Sequence, residues 1–140
     1  MSELSLFFAQ NAAAEMSEDF IVSDRFKDKD GAPVAWKIRS MSEAENEEIR
    51  RSATRLVKGK NGMKVPETSP EEYMAKLVVA SIVFPDLKNA ELQKSYGVLG
   101  GEQLIKKMLL SGEYAVLVQK VQKVNGFDRD INELVEDVKN

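Results

Sequence analysis

The chain has 140 residues and a formal net charge of −3, with 43% hydrophobic and 31% charged residues. That length fits one domain able to bury roughly two-thirds of its unfolded surface, and so small a charge makes it neither a polyanion nor a bulk electrostatic binder of nucleic acid. It contains no cysteine and no histidine, which excludes disulfides, thiolate zinc sites, cysteine nucleophiles, Ser-His-Asp triads and histidine-based metal centres.

The apolar run from Leu77 to Phe84 falls far short of the ~20 residues that cross a bilayer. The start, Met1 to Ala9, has no basic residue and carries Glu3, unlike a secretory signal. A cytosolic protein with no membrane partner is expected.

Leu4 to Ala14 reads as a short helix, with Leu4, Phe7 and Phe8 on one face. Adjacent phenylalanines at a chain end need cover, either the protein's own core or a neighbouring molecule. The arm residues Leu4, Leu6, Phe7 and Phe8 are therefore the candidate partner-binding surface. Glu15 to Asp19 is acidic and reads as a solvated connector.

Val34, Trp36 and Ile38 alternate with Ala35, Lys37 and Arg39, the period of a half-buried strand. Asp28 to Pro33 supplies the preceding turn and Arg25 to Lys27 the expected partner strand; the hairpin then either packs on a helix or gains Phe20 to Val22 as a third strand. Trp36, the only tryptophan, is the natural anchor of this unit.

Ser42-Glu-Ala-Glu45 is a capping box. The helix it opens is expected to reach Lys58, with Ile49, Ala53, Leu56 and Val57 facing inward. Acids crowd its start and bases its end, which complements the helix dipole. Gly59 to Ser69 reads as a mobile loop. Ser69-Pro70 starts a second helix that carries Tyr73, Met74, Leu77, Val78, Ser81 and Ile82 inward and is closed by Pro85. Asn89 caps a short helix that Gly97 ends. Ser95 to Tyr114 reads as a hub: Leu104, Ile105, Met108 and Leu109 form a stripe between glycine turns at Gly97 and Gly112. Tyr114, Leu117, Val118 and Val121 form the next stripe, ended at Gly126. Asp128 or Asp130 caps a last helix bearing Ile131, Leu134, Val135 and Val138.

Chemical motifs fail on inspection. Gly59-Lys-Asn-Gly62 lacks phosphate-loop spacing, and no strand is expected before it. Asp28-Lys-Asp-Gly31 would place Phe26 and Lys37 at the first and twelfth positions of a calcium loop. Asp128 to Asn132 has Glu133 where that loop needs glycine, so helix capping explains it better. No catalytic residue, cofactor site or metal site is expected. Arg50, Arg51, Arg55, Lys58, Lys60 and Lys64 form a basic cluster that could meet phosphates, but no aromatic residue interleaves with it. A solvated helix face accounts for it.

The order of several segments carries more. Val22-Ser-Asp-Arg-Phe26, Gly31 to Arg39 and Glu43 to Arg51 are followed by Ala80 to Leu87, Leu92 to Val98, Met108 to Tyr114 and Val124-Asn-Gly-Phe127. Together they resemble the XkdN-like tail assembly chaperones of tailed phages and prophages of Gram-positive bacteria, from about Val22 to the C-terminus. The resemblance implies a non-enzymatic chaperone in the host bacterial cytoplasm. Such a protein binds the phage tape measure protein and keeps it soluble while the tail tube assembles. It also implies further partners, namely a second copy of the chain and a frameshift-extended form, of which this chain looks like the short version. It carries over no functional residue.

The expected fold is mainly α, a compact bundle of about five to six short helices with a small N-terminal antiparallel β-hairpin. Residues 1–19 form the arm and connector, and residues 20–140 one globular domain, with the hairpin at 20–40 and the helical part at 41–140. The competing functional reading is a helical nucleic-acid-associated regulator using the basic cluster at residues 50–64.

Overall fold

The computed structural model describes residues 3–13 and 16–127. Two short 3-10 turns, Glu3–Phe7 and Ala9–Asn11, precede strand β1 (Ser17–Phe20) and strand β2 (Trp36–Arg39). Helix α1 (Glu43–Ser52) leads into β3 (Thr54–Lys58) and β4 (Lys64–Thr68). Helix α2 (Pro70–Ser81) runs directly into β5 (Ile82–Phe84). Helices α3 (Ala90–Ser95), α4 (Gly101–Met108) and α5 (Ser111–Val124) complete the described chain. The expected final helix lies outside the described residues.

The fold is therefore mixed α/β, and the mainly α expectation is corrected. Strands occur well beyond the N-terminal region, in an antiparallel sheet ordered β1-β2-β5 and a separate β3-β4 hairpin. Each departure has a local cause. The expected partner of β2, Arg25 to Lys27, makes only an isolated bridge, Lys27 to Pro33. The strand that pairs with β2 is Ser17–Phe20, in register from Ser17–Arg39 to Phe20–Trp36. Its Ser-Glu-Asp composition is that of an exposed edge strand, which needs no apolar face. Lys120 pins it to α5, 2.9 Å from Glu18 and 5.3 Å from the Phe20 ring centre.

Helix α1 begins as expected, with the Glu45 N–H donating to Ser42 Oγ at 3.3 Å. It stops at Ser52 rather than Lys58. Thr54 bonds back to the Arg50 carbonyl at 2.7 Å and lies 2.6 Å from the Thr68 hydroxyl. The Ser69 N–H donates to the Ala53 carbonyl at 3.0 Å. These bonds clamp the base of the hairpin, and β-branched Thr54, Val57, Val65 and Thr68 suit a pleated surface. The run expected as a helix end and a mobile loop is thus a two-stranded hairpin, and Leu56, expected in the core, is 66% exposed.

At the end of α2 the buried Ser81 hydroxyl donates to the Leu77 carbonyl at 2.8 Å. Pro85 disfavours helical backbone at Phe84. The β-branched pair Ile82–Val83 then extends alongside β2, with Ile82 opposite Ile38 and Phe84 opposite Lys37. Pro85 closes a strand, not the helix itself.

The core is built where Trp36 and Ile38 of the sheet meet Leu77 and Val78 of α2, Leu104 and Ile105 of α4, and Leu117 and Val121 of α5. Helix α2 touches α1, α4, α5 and β5, so it, and not the stretch Ser95 to Tyr114, occupies the centre. Within that stretch the expected stripe Leu104, Ile105, Met108 and Leu109 is buried as a set. Gly97 adopts φ +69 after α3, as a left-handed helix terminus requires. Gly112 instead lies in the first turn of α5. The glycine needed for packing is Gly101: a Cβ there would lie 2.8 Å from Val79 Cγ1, so its absence lets the start of α4 approach α2.

Candidate partner-binding surfaces

The four arm residues singled out from sequence stand together at the start of the described chain. Their 3-10 turns are closed by short-range bonds, Phe8 N–H to Ser5 O at 3.1 Å and Asn11 Nδ2 to Ser5 O at 2.7 Å. No residue of the first turn is buried. Leu4, Leu6, Phe7 and Phe8 are 69%, 60%, 82% and 45% exposed. Of the two covers considered, the protein's own core does not supply one here. The four form one exposed apolar cluster rather than scattered single residues.

A second surface has no counterpart in the sequence analysis. The chain between β1 and β2 folds over as a turn: Asp28 Oδ1 accepts from the N–H groups of Asp30 at 2.9 Å and Ala32 at 3.0 Å, and the Val34 N–H donates to the Phe26 carbonyl at 2.9 Å. Phe26 thereby meets Trp36 at 6.3 Å between ring centres, tilted by 49°. With Phe84, Leu92, Tyr96 and Met108 these rings line an open apolar groove of about 410 Å³.

Arg25 fixes one wall of the groove. Its guanidinium donates to the Met108 carbonyl and to Glu113 Oε1, both at 2.7 Å, and lies 5.2 Å from the centre of the Phe26 ring. Glu113 also accepts from the Leu110 N–H at 2.8 Å. The Arg25 hydrogen bond, with help from the Ser23 hydroxyl and the Leu110 amide, holds the Glu113 carboxyl down to about 2. The pair ties the β1–β2 connection to the junction of α4 and α5. Lys27 stands on the same rim with no ion-pair partner among the described residues. Sequence reading missed this site because Arg25 and Glu113 are 88 residues apart, and no local signal links them.

The basic cluster divides. Arg50, Arg51 and Arg55 each face a carboxylate: Glu43 at 3.7 Å, Glu47 at 3.2 Å, and Glu72, whose Oε1 accepts from Arg55 at 2.9 Å. Lys58, Lys60 and Lys64 lie at the tip of the β3–β4 hairpin. The cluster is thus not one helix face but a neutralised base and a cationic tip. Among the described residues no group of three or more acidic side chains is placed to hold a metal ion. No helix there is long and apolar enough to cross a membrane.

The described residues thus form a mixed α/β domain with an exposed apolar arm and an open apolar groove. Comparison with known proteins names the class. The family profile of the phage XkdN-like tail assembly chaperones matches residues 4–139, and the chain belongs to that family. It is 26% identical to the phage-like element PBSX protein XkdN of Bacillus subtilis strain 168, over 96% of this chain and 92% of that one. It is 28% identical to the protein YqbN of the same strain, over 99% of this chain and 93% of that one. The crystal structure of the protein yqbn superposes with a TM-score of 0.78 at 24% identity, covering 91% of this chain and 99% of that chain. That structure shares the fold.

Proposed function

We propose that this tail assembly chaperone binds the tape measure protein of its phage and keeps it soluble until the tail tube encloses it. It acts in the host bacterial cytoplasm, without a covalent step, with a frameshift-extended form as a further partner. The observation that supports this reading is the apolar arm of Leu4, Leu6, Phe7 and Phe8, exposed on a chain of this family. A long helical client that aggregates through its apolar stripes needs many small partners, each offering apolar contact on an otherwise polar body.

Co-expression tests the proposal. The cognate tape measure protein is expected to stay in the soluble fraction, and to co-purify, only when this protein is present. Equal client solubility with and without it would overturn the reading.

A further inference from the structure

We propose that residues 128–140 seat on the β3–β4 hairpin of their own chain, as an acidic amphipathic helix laid along its Val57–Val65 face. Charge points there first. Residues 128–140 hold five acids, Asp128, Asp130, Glu133, Glu136 and Asp137, against Arg129 and Lys139, a net −3. The whole chain also sums to −3, so residues 1–127 are neutral and the surplus sits in this one segment. Residues 54–68 hold four bases, Arg55, Lys58, Lys60 and Lys64, against Glu67, a net +3. Arg55 is taken by Glu72, while the three lysines have no ion-pair partner among the described residues.

The apolar pattern supports the same pairing. Val57 and Val65 stand opposite each other in the ladder, hence on one face. Val65 and the nearby Met63 are 44% and 71% exposed. In the segment, Ile131, Leu134, Val135 and Val138 recur at the spacing of one helix face, and Asp130 and Asp137 border that stripe. Such a helix lays its stripe on the valines while the bordering acids meet the lysines, whose long stems reach round from neighbouring positions.

The hairpin also needs a cover. A lone two-stranded hairpin is marginal in water unless a third strand or a helix packs on it. Its bonds to the body lie at the base, where Thr54 reaches the Arg50 carbonyl, the Ser69 N–H donates to Ala53, and Arg55 reaches Glu72. Beyond the base, the Val57–Val65 face is the apolar surface a helix would close.

Reach selects the chain's own segment. Phe127 lines one hollow with Met41, Ser42 and Asn46, so the segment leaves from the first turns of α1. From Asn46 the helical rise to Thr54 is about 12 Å, and the Val57–Val65 pair lies about 10 Å of strand further. Three extended residues followed by a helix from Ile131 to Val138 span about 22 Å, which matches. The nearer seat, the start of α1, carries Glu43, Glu47 and Glu48 and repels an acidic segment. A tether this short sets an effective concentration on the order of millimolar, which favours the own chain over a second copy.

The absence of cysteine makes the test direct. The full-length Val65→Cys/Leu134→Cys chain, mildly oxidised at low salt, is expected to close an internal disulfide, read as a faster-migrating monomer on a non-reducing gel. The Leu99→Cys/Leu134→Cys chain, with its first cysteine at an exposed site after α3, should stay open. Adding Lys60→Glu and Lys64→Glu should slow closure several-fold, as should molar salt, and adding Asp130→Lys and Asp137→Lys to the glutamate variant should restore the rate. In the unmodified protein, amide exchange of residues 131–138 should be slowed at low salt and released at molar salt. Four results overturn the proposal: disulfides that form only between chains, equal closure of the Leu99 pair, closure indifferent to charge reversal, or fast exchange of residues 131–138 at low salt. Neither the arm nor the tape measure protein enters these readouts, so their failure is separate from any failure of the client experiment.

Discussion

Glu113 shows how one side chain can join distant parts of the chain. It receives Arg25, Ser23 and the Leu110 amide, so its carboxyl is held at about 2, against about 4.3 in an unfolded chain. A depressed carboxyl contributes stability above its unfolded value and loses it as pH falls toward the folded one. The melting-temperature gap between the native protein and Glu113→Gln should be widest at neutral pH and close between about pH 5 and pH 2. Thermal melts across that range check it. Trp36, 2% exposed, is the large ring under the same turn, and Trp36→Ala should cost about 3–5 kcal/mol by chemical denaturation. Gly97 and Gly101 should fail for different reasons. Gly97 has open space but φ +69, so Gly97→Val strains the backbone by about 1–2 kcal/mol. Gly101→Ala meets Val79, an overpacking cost of about 1–3 kcal/mol that Val79→Ala should partly relieve.

At the scale of elements, the β3–β4 hairpin is the most instructive. Ile49, Ala53, Leu56 and Val57 match a helical face by spacing, yet only the first two lie on or beside α1. Its strands are fixed instead by pairing, Thr54 with Thr68 through Lys58 with Lys64. Two substitutions separate the readings. Leu56→Ser should change stability by less than about 0.5 kcal/mol, as expected for an exposed site. Leu104→Ala, in α4 and fully buried, should cost about 2–5 kcal/mol. If Leu56→Ser proved as costly as Leu104→Ala, the hairpin would be wrong. Strands β1 and β5 teach the same lesson. An acidic edge and the apolar end of a helix become strands because β2 lies between them.

For the whole molecule, the division of labour is between a packed body and surfaces left apolar. The body closes around α2, and the arm stands outside it. Removal of residues 1–8 should therefore leave the melting temperature nearly unchanged while abolishing solubilisation of the tape measure protein on co-expression. A large fall in melting temperature would instead make the arm part of the body's stability.

The sequence by itself determined whatever depends on neighbours along the chain. The caps at Ser42, Ser69 and Asn89 accept the amides that spacing assigns them. The alternation around Trp36 and Ile38 and the stripe Leu104 to Leu109 bury as their periods require. The ordered segments from Val22 onward were enough to point to the family. The missing histidine and cysteine removed whole classes of chemistry. Only the tertiary structure decided what depends on pairing across the chain. It decided that Ser17–Phe20 is a strand, that α1 yields to a hairpin, that α2 is the centre, and that Arg25 and Glu113 build a groove. Strand identity and ion pairing are made by partners tens of residues away, whose ladder bonds and buried contacts outweigh the small differences in local propensity that a sequence displays.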